Sequence, residues 1–282
     1  MSDADPSRSV RSAIPVLLVH GDFGDGFESW GAVCERIGRR RRMVVIDRPG
    51  FGEDLPDDAR FSIAGEARAL LDVAADMGIS SFHIVGHSYG GLIALEMAIT
   101  RAEYVRSLHL IEPPFLDLLP EQSLVREMDQ RVRWIVEHHT EIGDEAATEA
   151  FFAMIGAERT VERLRGTPDW DRLCGYATRF ARGEPAGSYP SRSLAKLPGT
   201  MRVGLYTGGR SHSALRLIAA ELANRIDGAH LLDVPEAGHA VHMAKDVFVD
   251  ALLALAHDAD VAWEERDLLA RTHTDGEQRT LG

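Results

Sequence analysis

Residues 82–99 read FHIVGHSYGGLIALEMAI. An apolar run of strand length, 82–85, gives way to Gly86-His87-Ser88-Tyr89-Gly90-Gly91 and then to an apolar stretch of helical length, 92–99. Gly-x-Ser-x-Gly between a strand and a helix is a turn so tight that the serine backbone is strained and its hydroxyl stands clear of the sheet. Side chains at the flanking positions would collide with neighbouring strands, which is why glycines stand there. The turn also aims a helix N-terminus at Ser88, so backbone N–H groups and the helix dipole face any negative charge formed at that point. Ser88 is therefore the candidate nucleophile.

Outward from this turn, strand-length apolar runs alternate with longer amphipathic segments. The strand candidates are 14–19, 43–47, 82–85, 107–111, 201–206 and 229–234. This rhythm predicts a mostly parallel sheet of about six strands with helices on both faces. Between them, 62–78 places Ile63, Leu70, Leu71, Val73, Ala74 and Met77 largely on one side, with Gly78 as the stop. From Phe115 to Leu197 the rhythm fails: no buried strand is evident, only helix-like stretches at 124–138 and 145–155 and a turn-rich ARGEPAGSYPS. So long a segment is no simple connection. It predicts a helical cap, residues 115–197, inserted into a core formed by 1–114 and 198–282. The last 20 or so residues read as a helix fraying into a tail.

The 282 residues are 45% hydrophobic with a formal net charge of −13, and Lys occurs only at 196 and 245. An acidic surface disfavours nucleic acid and anionic membrane as partners, because both need cations to displace counterions. The one basic run, Arg39–Arg42, abuts the apolar stretch 43–46 and reads as a solvated helix end. No stretch approaches the roughly 20 apolar residues of a membrane span. The opening MSDADPSRSVRSA lacks the apolar centre of a secretory signal, so the expected location is cytoplasmic. Cys34 and Cys174 are expected to be buried free thiols, and no histidine pairing has metal-ligand spacing, so neither metal nor cofactor is expected.

Four separated motifs resemble the α/β-hydrolase superfamily: Val19-His20-Gly21-Asp22-Phe23-Gly24, Asp47-Arg48-Pro49-Gly50-Phe51-Gly52, the Ser88 turn, and Ala237-Gly238-His239. The resemblance spans nearly the whole chain. It implies that the backbone N–H groups of Asp22 and Tyr89 form an oxyanion hole, and that His20 and His87 support loops rather than catalyse. It also implies an antiparallel hairpin before the first strand, but only 13 residues precede Ile14, too few for one. The exposed sheet edge this leaves would need cover from the N-terminal arm, the Arg39–Arg42 flank or a second subunit, so the protein is expected to be a monomer or homodimer.

A serine hydroxyl needs a neutral imidazole to accept its proton. His239 follows the run HLLDV, where the superfamily keeps its base; His242 is the local rival. The third member is usually an Asp in a run such as Gly-x-x-Asp, but the matching run is Thr207-Gly208-Gly209-Arg210-Ser211. Serine carries no negative charge and cannot stabilise an imidazolium. Glu112, at the end of SLHLI and before Pro113-Pro114, is the replacement, because adjacent strands lie about 4.8 Å apart and Glu is one methylene longer than Asp. Asp117 is a weaker substitute. Zearalenone-type lactonases use a Glu at this strand end, and Ile111-Glu112-Pro113 is similar to that arrangement.

A helical cap over the catalytic edge implies a closed apolar pocket suited to a small hydrophobic ester or lactone. Phe23, Trp134 and Trp170 are the expected substrate contacts, with Phe151, Phe152, Met154 and Tyr176 as further cap candidates and the acidic loop 50–59 at the entrance. Serine rather than Asp at residue 88 argues against dehalogenase and epoxide-hydrolase chemistry. Thioester hydrolysis, C–C hydrolysis, acyl transfer and a non-catalytic binding role on the same scaffold stay open.

Overall fold

The computed structural model describes residues 14–38, 40–51, 55 and 58–280, with side chains described to Leu268 apart from Lys245. Six strands form one sheet: β1 (Val16–Val19), β2 (Met43–Ile46), β3 (Phe82–His87), β4 (Val105–Ile111), β5 (Arg202–Gly208) and β6 (His230–Val234). Their order is β2-β1-β3-β4-β5-β6 and every pairing is parallel. No antiparallel strand occurs among the described residues; the N-terminal arm expected to help cover the sheet edge lies outside them. All six strands stand within a few residues of their sequence positions. Strands buried on both faces read as continuous apolar runs, which short windows detect well.

Helices α1 (Gly26–Ile37) and α9 (Lys245–Thr280) lie on one face of the sheet, with Trp30, Val33, Phe248 and Leu252 fully buried against Val16, Leu18 and Val85. The other face carries α2 (Ile63–Asp76), α3 (Tyr89–Thr100) and α8 (Ser213–Arg225). The buried stripe of α2 is Ile63, Glu66, Ala67, Leu70 and Ala74, while Val73 and Met77 are exposed. This corrects the expected apolar face: it runs with the 3.6-residue period through a glutamate, which apolar counting passes over. The α9 helix continues to Thr280 instead of fraying. Its last turns hold no proline and a single glycine, so nothing in the sequence stops it.

Between β4 and β5 the described chain forms helices and 3-10 turns and no strand, with one isolated parallel bridge from Gly183 to Phe61. The helices are α4 (Ser123–Met154), α5 (Glu158–Leu164), α6 (Pro168–Gly175) and α7 (Ala177–Ala181). Gly143, at φ 79° and ψ 166°, breaks α4 into the two stretches read from the sequence. A left-handed φ falls to glycine because it has no Cβ to clash. Pro168 at the first turn of α6, with Thr167 accepting from the Trp170 N–H, starts the third stretch.

Arg41 departs from the solvated helix end expected of the basic run. It is 9% exposed, donates to the Ile14 carbonyl at 3.0 Å and pairs with Asp260 of α9 at 2.8 Å. From there a polar thread runs under α9: His83 to Ser107 at 2.7 Å, Ser107 to His109 at 2.8 Å, and His109 to Tyr206 at 2.7 Å. Cys34 and Cys174 are free thiols, half-buried rather than buried. Among the described residues no helix is long and apolar enough to cross a membrane.

Candidate active site

Ser88 sits at the β3–α3 junction with φ 51° and ψ −126°. Such a backbone costs a non-glycine residue about 1–3 kcal/mol and persists only where its surroundings enforce it. Here they do: the Ser88 N–H donates to the Ile111 carbonyl at 2.8 Å, and a Cβ on Gly90 would lie 2.3 Å from the His20 carbonyl oxygen. One strand over, Glu112 also has a positive φ, 44°, with its N–H donating to the Tyr206 carbonyl at 3.1 Å. The two strained residues thus stand on adjacent strand ends, joined through Ile111.

The Glu112 side chain is fully buried and accepts four hydrogen bonds. Oε1 takes the Thr207 hydroxyl at 2.9 Å and the Gly208 N–H at 2.8 Å. Oε2 takes the Ser211 hydroxyl and His239 Nδ1, the latter at 2.7 Å. A carboxylate with all its donors neutral, apart from an imidazole able to become cationic, keeps its charge available to that imidazole. Ser211, at the position where the superfamily usually keeps its acid, serves here as a clamp on the substitute acid. Sequence reading noticed Ser211 only as a missing Asp. The cue it overlooked is that Thr-Gly-Gly-x-Ser supplies hydroxyl and N–H donors at one strand end.

With Nδ1 bound to Glu112, the other ring nitrogen of His239, Nε2, is buried with no hydrogen-bond partner among the described residues. Ser88 and His239 line one cavity, together with Asp22 and Tyr89, the residues expected to give the oxyanion N–H groups. The His239 loop is held from below: His87 Nε2 donates to the His239 carbonyl at 3.1 Å, and a Cβ on Gly208 would meet the carbonyl oxygens of Ala237 and Gly238 at 2.5 Å. His242 falls in a 3-10 turn, buried against Trp30 and His87, and takes no part in the cavity.

The supporting histidines stay neutral. Burial, and then the Arg48 charge, bring His20 down to about 3; His20 Nε2 accepts the Arg48 N–H at 3.0 Å. Burial and the neighbouring His239 bring His242 to about 3, and burial with His242 and His239 holds His87 well below the ordinary value. Asp117 accepts the Ser191 N–H at 2.7 Å and lies away from the triad.

The cavity holds about 590 Å³ of empty space, counted to its open mouth. Its walls are mainly apolar, with Met128, Val132, Phe151, Met154, Phe180 and Leu215 among them. Of the expected cap candidates, Phe151 and Met154 are on this wall; Phe152 and Tyr176 are not. The three expected substrate contacts are also elsewhere. Trp134 is 46% exposed and stacks on His138. Trp170 is buried, packed against Phe152, with its indole N–H donating to Glu145 at 3.2 Å. Phe23 lies behind the wall, stacked on Phe151 at 4.3 Å. A cap sequence does not report which side of a helix faces the cavity, which is why Trp134 and Trp170 were not separable from the lining residues, and Phe23 stands in the loop after β1 rather than in the cap. Half of the acidic loop 50–59, expected at the entrance, lies outside the described residues.

Sequence reading also missed a buried charge cluster on this wall. Arg48 and Arg179, both lining the cavity, share Glu66, and Arg48 reaches Asp22 at 2.9 Å. Its members come from a loop, a cap helix, α2 and the first motif, so no local pattern links them. Among the described residues no group of three His, Cys, Asp or Glu could hold a metal ion.

Residues 16–251 match the Alpha/beta hydrolase family, and the chain belongs to it. It is 30% identical over 109 residues to a protein of Azorhizobium caulinodans named as the carbamate hydrolase RutD, a match covering 39% of this chain and 41% of that one. The chain thus spans less than half the length of that relative. Among solved structures, a carboxylesterase of the ammonia-oxidizing thaumarchaeon Nitrososphaera superposes with TM-score 0.69 at 15% identity, covering 89% of this chain and 92% of the other. NosK from Streptomyces actuosus aligns at 26% identity with TM-score 0.58, covering 88% of this chain and all of that one.

Proposed function

We propose that the chain is a serine hydrolase that cleaves a carboxylic ester or lactone of a small hydrophobic substrate through an acyl-enzyme. The observation that carries this reading is His239, held at Nδ1 by Glu112 and lining the same cavity as Ser88, with its Nε2 left without a hydrogen-bond partner among the described residues. His239 Nε2 takes the Ser88 proton as the hydroxyl oxygen attacks the carbonyl carbon. Negative charge collects on the carbonyl oxygen, within reach of the Asp22 and Tyr89 N–H groups. Collapse returns that proton to the leaving alkoxide and leaves the acyl group on Ser88. Water, deprotonated by the same nitrogen, then releases the acid. Glu112 holds Nδ1–H throughout and offsets the imidazolium charge. The chemistry needs no cofactor.

The position of Glu112 supports the likeness to zearalenone-type lactonases, but Trp170, outside the cavity, lends it nothing. Carbamates and thioesters present the same acyl carbon to the same groups. The test is a screen of purified protein against aryl esters, lactones, carbamates and acyl thioesters, with Ser88→Ala as control. Turnover that vanishes in Ser88→Ala is expected. Turnover that survives the substitution would put the chemistry on a residue other than Ser88, and no turnover with Ser88 inert to a fluorophosphonate would leave a binding protein on a hydrolase scaffold.

A further inference from the structure

The cavity wall carries one cation with an unused donor. Arg179, from α7, is 1% exposed. Its Nε donates to the Pro49 carbonyl at 2.7 Å, and its Nη2 lies 2.8 Å from Glu66 Oε2. Nη1 and Nη2 are both buried with no hydrogen-bond partner among the described residues, Nη2 meeting Glu66 as an ion pair only, and Nη1 has no ion pair either. Arg48 differs: its Nε and Nη2 donate to the two Glu66 oxygens at 2.8 and 3.3 Å, and its Nη1 donates to Asp22 at 2.9 Å. Glu66 is therefore divided between two guanidiniums, and Arg48 holds the larger share. Of the two carboxylates that line the cavity, Asp22 is engaged by Arg48 and Glu184 by the Ile63 N–H at the start of α2, at 3.0 Å.

The guanidinium plane of Arg179 is fixed as well as short of partners. Phe61 and Phe51 lie 3.6 and 4.9 Å from its Cζ. Burial, followed by the Arg48 charge, weakens its hold on its own proton. An entering anion relieves that condition. Buried donors are almost always paired, and an unpaired one on a cavity wall is a place where a ligand completes the set.

We propose that Arg179 Nη1 anchors a free carboxylate on the substrate, so that the ester cleaved at Ser88 belongs to an acid bearing a second carboxyl group beyond an apolar chain. The inference rests on the serine-hydrolase reading and names its substrate class. A planar guanidinium in an apolar cavity suits a carboxylate oxygen, because charge-assisted hydrogen bonds strengthen where water is excluded. Met128, Val132 and Phe151 supply the apolar surface along which the intervening chain would lie.

Three matched esters test this: p-nitrophenyl hydrogen suberate, its neutral methyl ester, and p-nitrophenyl octanoate. For the wild-type protein, kcat/KM for the free acid should exceed that for each neutral ester by about ten- to a hundredfold, the worth of one hydrogen bond to a charged partner. In Arg179→Met that ratio should fall to about one, with Arg179→Lys between. A wild-type ratio of one or below, a methyl ester equal to the free acid, or a ratio unchanged in Arg179→Met would each overturn the proposal. Should Arg179→Met not fold, the wild-type series and Arg179→Lys decide. Failure of the hydrolase reading is seen separately, as no turnover of any ester and no fluorophosphonate adduct on Ser88. In that event, calorimetric binding of free suberate to wild type and Arg179→Lys judges the anchor. About tenfold weaker binding by the variant supports it and equal binding overturns it.

Discussion

Two glutamates, Glu112 and Glu66, are both buried to within 1% exposure, and they are held in opposite ways. Glu112 accepts from two hydroxyls, one N–H and one imidazole. Glu66 faces two guanidiniums. The first carboxylate has no fixed cation beside it, so its charge can answer one that appears on His239. The second has its charge fully matched before any substrate arrives. Burial of a carboxylate is therefore a poor guide to its role, and the charge of its donors is a better one.

The comparison is broken most directly by neutralising each acid in turn. Glu112→Gln keeps the size and some of the hydrogen bonds but removes the charge, and should lower kcat by a factor of about 10⁴ while leaving the thermal midpoint near that of the wild type. Steady-state kinetics on an aryl ester, beside a thermal melt, measure both; more than about a tenth of the activity remaining would take Glu112 out of the triad. Glu66→Gln should show the reverse pattern. It leaves two buried guanidiniums short of a counter-charge and should cost about 3–5 kcal/mol of stability, read by denaturant unfolding.

Titration sharpens the contrast. Burial alone would raise the Glu66 pKa, but Arg48 and then Arg179 bring it below its ordinary 4.5. Its folded form holds its proton more weakly than its unfolded form, so its stabilisation is present above pH 4.5 and is lost as pH falls through the lower folded value. The buried neutral histidines act earlier on the way down. His20 and His242 titrate near 3 when folded and near 6.5 when unfolded. His83, His87 and His109 are depressed too, burial being the main cause. The unfolded chain binds protons that the folded one refuses, so stability should fall steadily as pH drops below 6.5. His242→Phe should flatten that slope by about one proton in unfolding midpoints measured across the range.

The smallest effect is expected at the clamp. Ser211→Ala removes one donor from Glu112 and should lower kcat by about tenfold, the worth of a hydrogen bond to a charged group. A merely structural role would show as a lower thermal midpoint with kcat kept, whereas loss of a Glu112 donor should lower kcat with the midpoint kept. If the two strand ends are as close as the shared hydrogen bonds indicate, Ser211→Asp should restore part of the activity of Glu112→Gln.

The sheet was legible in the sequence because strands buried on both sides are unbroken apolar runs, and the Ser88 turn because its glycines have a steric cause that no other residue meets. Glu112 was legible as the residue just after β4, and His239 as the histidine of the loop that follows β6. What escaped was everything assembled across distance. The donors from Thr207, Gly208 and Ser211 matter only once β4 and β5 lie side by side, and Arg179 meets Arg48 and Glu66 from more than 100 residues away. The inward faces of the cap escaped for the same reason. An amphipathic pattern tells which side of a helix is apolar, but Trp170 is apolar and buried without touching the cavity.

The central claim is that Ser88 is activated by a neutral His239 that Glu112 holds. Its most direct measurement is the rate of fluorophosphonate labelling, followed by intact mass and peptide mapping, for wild type, Ser88→Ala and Glu112→Gln. A single adduct on Ser88 in the wild type, none in Ser88→Ala, and labelling slowed by orders of magnitude in Glu112→Gln is the result the geometry predicts. An unlabelled wild type, an adduct on another residue, or labelling equally fast in Glu112→Gln would contradict it.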